Sequence, residues 1–357
     1  MTSFLQLYKL LTEISIILSY IIPFIIFIFG FIYLFVIHFS KYILIQSSPV
    51  ALRMLLAITP FFINLLSKSY SMSLNRRDLL KTSATWSLAT CLDLWPELLK
   101  PRLRIGACDW SMGKSSDPAA FDLAKTIGLQ GVQVNLGSEK NNLHLRQKEI
   151  QTRYLSASHN TDVKITSLAI GELNNVPYKS DPRTIEWVHD SITVAKNLGV
   201  TVVLLAFFSK NDLRNDDTGK KEVVRRLKEV MPMAEKAGIT FGIESYLSAG
   251  EHLDLINQVG SSQLKVYYDF RNSADAGYDI FEELKLLRGD IICEIHMKEN
   301  GFLLGYGTLD WRRIKDTLEE INFKGDGWMQ IEGSLPAGMD VTTAYQHNYR
   351  FLNDTFA

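Results

Sequence analysis

A closed (β/α)8 barrel is the fold this sequence predicts, and three observations predict it. Eight short apolar runs rich in β-branched and aromatic residues alternate with eight segments of helical spacing over about 255 residues, the size and pattern of such a barrel. Glycine closes several helical segments, as in Ile127-Gly128, Leu198-Gly199 and Ala237-Gly238, where a left-handed cap favours it. The last four apolar runs each finish in a residue able to hold a cation: GITFGIES with Glu244, LKVYYDF with Asp269, IICEIHMKE with His296 and GWMQIEGS with Glu332. An open doubly wound sheet is the rival arrangement of the same alternation.

Residues 1–71 stand apart from this pattern. Residues 14–38 carry no charge, a run of about 25 residues and long enough to cross a bilayer of roughly 30 Å. Residues 42–66 form a weaker candidate, interrupted by Arg53 and Pro60. Two readings stand: a membrane anchor, or upstream sequence translated from an early start codon. From Met72 the chain reads MSLNRRDLLKTSATWSLATCL. The paired Arg76 and Arg77 ahead of a modestly apolar stretch resemble a bacterial twin-arginine export signal, with Met72 placed as its natural start. That resemblance implies export by the twin-arginine machinery to the periplasm, with membrane anchoring if residues 1–71 are retained. The expected division is an extension over 1–71, a signal-like segment and linker over 72–100, and the barrel over 101–357.

Within the barrel, strands are expected at 104–108, 131–136, 163–170, 200–207, 239–244, 264–269, 291–297 and 328–332. Each is short, apolar and bounded by glycine or polar clusters. Helices are expected at 118–127, 143–159, 182–198, 220–237, 251–259, 279–287, 309–321 and 341–352. Asp117-Pro118 and Asp181-Pro182 supply N-cap chemistry, with proline suited to the first helical position.

Composition removes several functions. A net charge of -1 gives no basic face for nucleic acid. The three cysteines, Cys91, Cys108 and Cys293, lack metal-knuckle or disulfide spacing, so a metal is expected to rest on carboxylates and histidine. The spacings between Glu244, Asp269, His296 and Glu332 are 25, 27 and 36 residues, enough for a helix and two loops before the next parallel strand. In a barrel those strand ends share one mouth. Three carboxylates and one imidazole suit Mn2+, and also Mg2+ or Co2+, with Zn2+ able to occupy the site in vitro.

Other polar residues at strand ends are candidates of second rank: Asp109 and Trp110 after the first strand, Gln133 and Asn135 on the second, Glu172 after the third, and Lys298 and Glu299 after His296. Lys298 has two readings, a ligand to substrate oxygen or an ion pair with Glu299. Trp110, Phe207 and Phe208 either form an apolar wall of the mouth or pack the barrel. His144, His159, His189, His252 and His347 fall in helical segments away from the mouth and read as surface or structural.

The stretches IESY, YYDFRNS, IHMKEN and IEGS, with GYGTLDW after the seventh strand, resemble the xylose-isomerase-like barrel superfamily. Within it the resemblance is to the sugar phosphate isomerase/epimerase group and spans about residues 102–357. It implies one divalent metal held by Glu244, Asp269, His296 and Glu332, with the two glutamates exchanging protons with a sugar carbon. Removing a proton next to a carbonyl requires the developing enediolate oxygen to be held by a cation, while one carboxylate takes the proton and another returns it. The expected function is therefore a sugar or keto-sugar isomerase or epimerase. The alternatives are a lyase or dehydratase acting on a keto-sugar or oxidised glycoside, and a non-catalytic carbohydrate-binding barrel. Asn272 departs from the group, whose epimerases commonly carry histidine there to hold substrate. That departure also speaks against the related endonuclease, which needs a three-metal cluster with more histidines. Export favours small unphosphorylated carbohydrates as substrate, and self-association into a homo-oligomer is left open.

Overall fold

A computed structural model describes residues 104–325 and 327–356. The hydrophobic extension, the segment around Arg76 and Arg77, and the linker lie outside the described residues. Eight strands close into one barrel in sequence order: β1 (Arg104–Cys108), β2 (Gly131–Asn135), β3 (Lys164–Ile170), β4 (Val202–Phe207), β5 (Thr240–Ser245), β6 (Leu264–Asp269), β7 (Ile292–Met297) and β8 (Trp328–Ile331). All neighbouring strands are parallel, and β1 pairs with β8 to complete the ring. Closure decides against the open sheet. No helix among the described residues is long and apolar enough to cross a membrane.

The outer helices are α1 (Ala120–Ile127), α2 (Lys148–Thr161), α3 (Arg183–Leu198), α4 (Asp217–Ala237), α5 (Ala249–Val259), α6 (Phe270–Asp275), α7 (Ile280–Leu287), α8 (Trp311–Glu320) and α9 (Val341–Phe356). Gly128, Gly199 and Gly238 close α1, α3 and α4 at φ 98°, 74° and 69°, as their place in the sequence predicts. Two departures matter. The segment expected to be helical from residue 143 starts α2 only at Lys148: Leu143 takes a left-handed φ of 48°, His144–Arg146 forms a short 3-10 turn, and Gln147 is extended before α2 begins. Helix α6 was not expected from the sequence: it is too short to show a period, and it is capped by Asp269, whose Oδ1 accepts from Asn272 N at 2.8 Å.

Strand side chains alternate between two environments. Ile105, Ala107, Val132, Val134, Val203, Leu205, Phe241, Ile243, Tyr268, Ile295, Met297, Met329 and Ile331 belong to the large apolar layer under the helices. The opposite faces point into the barrel, where Ala169, Val202, Leu204, Ala206, Tyr267 and Cys293 form a smaller apolar cluster. A register irregularity opposite Val266 and Tyr267 inserts an extra residue in β7, which lets Cys293, Glu294 and His296 share the interior. The interior has no room to spare at Gly242. A Cβ there would stand 2.7 Å from Cys293 Sγ and 3.0 Å from Tyr267 Cβ.

Candidate metal centre and active site

Parallel register sets the site. Asp269 pairs with His296, and His296 with Gln330, two residues before Glu332. Three adjacent strands thus deliver three ligand-type side chains to one level at the C-terminal mouth, and β5 adds Glu244. One ligand atom from each of Glu244, Asp269, His296 and Glu332 lies within 4.8 Å of all the others. His296 Nδ1 stands 3.0 Å from Glu244 Oε1, 3.5 Å from Glu332 Oε2 and 4.0 Å from Asp269 Oδ2.

The arrangement fits a cation on two grounds. Asp269 Oδ2 is buried without a hydrogen bond, its nearest cationic group being Lys298 Nζ at 3.5 Å, so a buried acceptor is left for a further positive charge. The donors are three hard oxygens and one imidazole nitrogen, a set suited to a hard or borderline divalent ion. Burial pushes Asp269 up to about 7, and the charges of Glu244 and Glu332 add to that against the pull of Lys298. Burial would raise Glu332 as well, yet the charges of His296 and Lys298, with hydrogen bonds from Lys298 and Trp110, hold it down at about 2. Burial also disfavours a charged His296. Its neighbours Cys108, Glu244 and Glu332 more than offset this and place it well above the usual imidazole range.

The surrounding residues hold the ligands in place. Trp110 Nε1 donates to Glu332 Oε1 at 2.8 Å. Asn272 Nδ2 donates to Glu244 Oε1 at 3.2 Å, and its Oδ1 accepts from Lys298 Nζ at 3.3 Å. Lys298 does not pair with Glu299, one of its two expected readings. Its Nζ lies 2.9 Å from Glu332 Oε2 and 3.5 Å from Asp269 Oδ2. Glu299 is instead a buried brace, accepting from Leu309 N and Trp311 Nε1.

A pocket of about 520 Å3 opens beside the cluster, lined by Glu244, Glu332, Asn272 and Lys298 on one side and by Asn135, Glu172 and Asn174 among others on the far side. Trp110 and Phe208 line it too. Phe207 does not: it points outward and packs edge-on against Tyr178. Asp109 is buried, accepting from Asn135 N and Ser116 N, and burial pushes it up to about 7. It secures the first two loops. None of His144, His159, His189, His252 and His347 belongs to the ligand cluster. His252 is enclosed, bonded to Ser245 Oγ at 2.9 Å and Ser248 O at 3.0 Å.

Sequence reasoning missed the layer beneath the ligands. His296 Nε2 meets Gln133 Oε1 at 2.9 Å, Gln133 Nε2 donates to Tyr267 OH at 3.1 Å, and Glu294 takes hydrogen bonds from Ser167, Gln330 and Tyr267. The sequence marks Gln133 only as a polar residue on the second strand. The alternation of the strands, read inward, would have pointed to Glu294 and Gln330. Cys108 is a further surprise, with Sγ 3.4 Å from His296 Nε2, and Cys108, His296 and Glu332 form a second possible ligand set. Burial pushes that thiol up to about 12, so it is neutral at ordinary pH and a poor rival to three carboxylates.

Fold and site together define a closed parallel barrel with three carboxylates and an imidazole converging at its C-terminal mouth. The chain matches the xylose isomerase-like TIM barrel family over residues 121–355 and belongs to it. Among curated relatives, 2-epi-5-epi-valiolone 7-phosphate 2-epimerase of an Actinoplanes species is 24% identical over 225 residues, which cover 60% of this chain and 82% of the relative. D-psicose 3-epimerase of Clostridium cellulolyticum, solved with D-tagatose, superposes with a TM-score of 0.60 at 16% identity, covering 71% of this chain and 99% of that one. The 3-keto-D-glucoside 4-epimerase of Escherichia coli superposes with a TM-score of 0.59 at 15% identity over 71% and 100% of the two chains.

Proposed function

We propose that this protein is a divalent-metal-dependent sugar or keto-sugar isomerase or epimerase. The observation that carries the reading is the convergence of Glu244 and Glu332 with Asp269 and His296 within 4.8 Å, beside a polar pocket. The names of several relatives, epimerases of sugars or sugar-like substrates, support the same class.

Glu244, Asp269, His296 and Glu332 would hold the metal, Mn2+ by the hardness of the donor set. When bound, the cation supplies Lewis-acid stabilisation of negative charge developing on sugar oxygens. The chain's own residues do the rest. One of the Glu244 and Glu332 carboxylates accepts the proton from the carbon next to the carbonyl, and the other returns a proton to the opposite face or to the neighbouring carbon. Trp110 and Lys298 orient Glu332, and Asn272 orients Glu244. Trp110 and Phe208 offer apolar surface to the sugar and exclude water from the carbon that loses its proton. The twin-arginine-like segment around Arg76 and Arg77 supports export as the compartment.

The test is proton exchange. Mn2+-loaded protein is incubated in D2O with a panel of ketoses and keto-glycosides, and deuterium at the carbon next to the carbonyl is followed by NMR. Metal-dependent incorporation is the expected result. Its absence across the panel, or its persistence in Glu332→Gln, would sink the reading.

A further inference from the structure

The pocket reaches from the ligand cluster to the loops after β2, β3 and β4, and its two ends differ in charge. Resting on the reading of this protein as a sugar-transforming enzyme, we propose that the far end is a subsite for an uncharged, hydroxyl-bearing part of the substrate and does not take a phosphate. Several relatives are named for phosphorylated sugars, so the distinction is a real choice within the family.

A phosphate monoester carries about -1.5 to -2 charges at neutral pH and is met by Arg or Lys, or by a concave run of free backbone N–H groups. No Lys or Arg lines the far end. Among the described residues lining the pocket, Lys298 is the only cation, and it sits at the other end, 2.9 Å from Glu332 Oε2. Arg183 pairs with Glu139 and Asp181, and Arg214, stacked on Tyr246 at 4.5 Å, pairs with Asp212; neither lines the pocket. The backbone donors of the loop after β2 are already taken. Gly137 N donates to Asn135 Oδ1 at 3.1 Å, Ser138 N to Asn141 Oδ1 at 2.9 Å, and Glu139 N to Glu172 Oε1 at 3.2 Å. Phe208 N likewise donates to Asn174 Oδ1 at 2.9 Å.

Those same bonds orient a set of groups that reads hydroxyls. With their carbonyl oxygens held by the backbone, Asn135 and Asn174 present NH2 groups that have no hydrogen-bond partner among the described residues. Glu172, held by Glu139 N and Asn175 Nδ2, presents a carboxylate that accepts from a sugar hydroxyl and repels a phosphate. Phe208 stands edge-on to Tyr246 with ring centroids 4.8 Å apart, and it gives the pocket an apolar face for the C–H side of a sugar.

The experiment compares, with Mn2+-loaded protein in D2O, a free ketohexose, the same sugar as its 6-phosphate, and a neutral glycoside of a keto-sugar. Exchange with the better neutral substrate is expected to exceed exchange with the phosphate at least tenfold in kcat/KM. The free sugar against the glycoside then tells a polyol tail from a second ring as the occupant. Glu172→Lys is expected to move the neutral-to-phosphate ratio at least tenfold toward the phosphate. Equal or better use of the phosphate, or an unchanged ratio in Glu172→Lys, would overturn the subsite. If no sugar exchanges, the proton-transfer reading fails by itself. Calorimetric titration with the same three compounds still decides the subsite, tighter phosphate binding overturning it and tighter neutral binding upholding it.

Discussion

His296 meets Gln133 through Nε2 at 2.9 Å and faces Glu244 through Nδ1 at 3.0 Å. An amide oxygen accepts only from a protonated ring nitrogen. With Gln133 Oε1 as its partner, Nε2 carries a hydrogen, and Nδ1 faces the carboxylates, where it would hold a cation in place of its own proton.

Replacing Gln133 with Leu removes that acceptor and leaves the ring free to take the other tautomer or to turn. Metal affinity measured by calorimetry is expected to fall about 10–100-fold, with the far-ultraviolet circular dichroism unchanged. An unaltered affinity would show that Gln133 only fills space.

Asp269 brings to the cluster an oxygen with no hydrogen bond. Mn2+ at about 100 times its dissociation constant is expected to stabilise the protein by about 2.7 kcal/mol, a rise in Tm of roughly 5–10 °C for a domain of this size. Asp269→Asn removes one ligand charge and is expected to abolish most of that rise. Differential scanning calorimetry with and without the metal reads both outcomes.

Trp110 is the only indole bonded to Glu332 among the described residues. Trp110→Phe keeps the ring and loses one donor to a buried carboxylate, a bond to a charged group worth about 1.5–3 kcal/mol. A fall in kcat of about tenfold or more, with Glu332→Gln lower still by a further factor of at least ten, is the expected order in the exchange assay.

His252 supplies a pH signature away from the ligands. Burial lowers it from 6.5 to about 4, against the raising effects of its bond to Ser248 and of the Glu251 charge, so it is neutral when folded. Between pH 6.5 and 4 the unfolded chain binds the extra proton. Stability therefore rises with pH through that window and is lost as pH falls, levelling below about 4. Between pH 7 and 5 this group costs about 2 kcal/mol. From pH 7 to 5 the urea-unfolding free energy of the wild type is expected to fall by about 2 kcal/mol more than that of His252→Gln.

Gly242 tests the barrel interior. A Cβ 2.7 Å from Cys293 Sγ and 3.0 Å from Tyr267 Cβ forces movement of a side chain that lies against His296 with ring centroids 4.5 Å apart. Gly242→Ala is expected to cost about 1–3 kcal/mol in urea unfolding and to weaken metal binding through Tyr267.

The sequence by itself determined the barrel and marked four residues at its strand ends as candidate ligands. Buried parallel strands must be apolar runs, helices between them must be periodic and capped, and a charged residue ending such a run stands out against it. All eight strands lie within two residues of their expected ends, and Glu244, Asp269, His296 and Glu332 meet as the shared mouth requires. Tertiary structure alone decided what surrounds them. Lys298 turned from Glu299 to Glu332, and Phe207 turned out from Phe208, because a strand's two faces differ by one residue and the choice of face depends on closure. Gln133, Tyr267, Glu294 and Cys108 come from four different strands, and their contact with one another or with His296 exists only once β1 and β8 have joined. Local pattern records what each strand buries, and only the closed ring settles which side chains meet inside it.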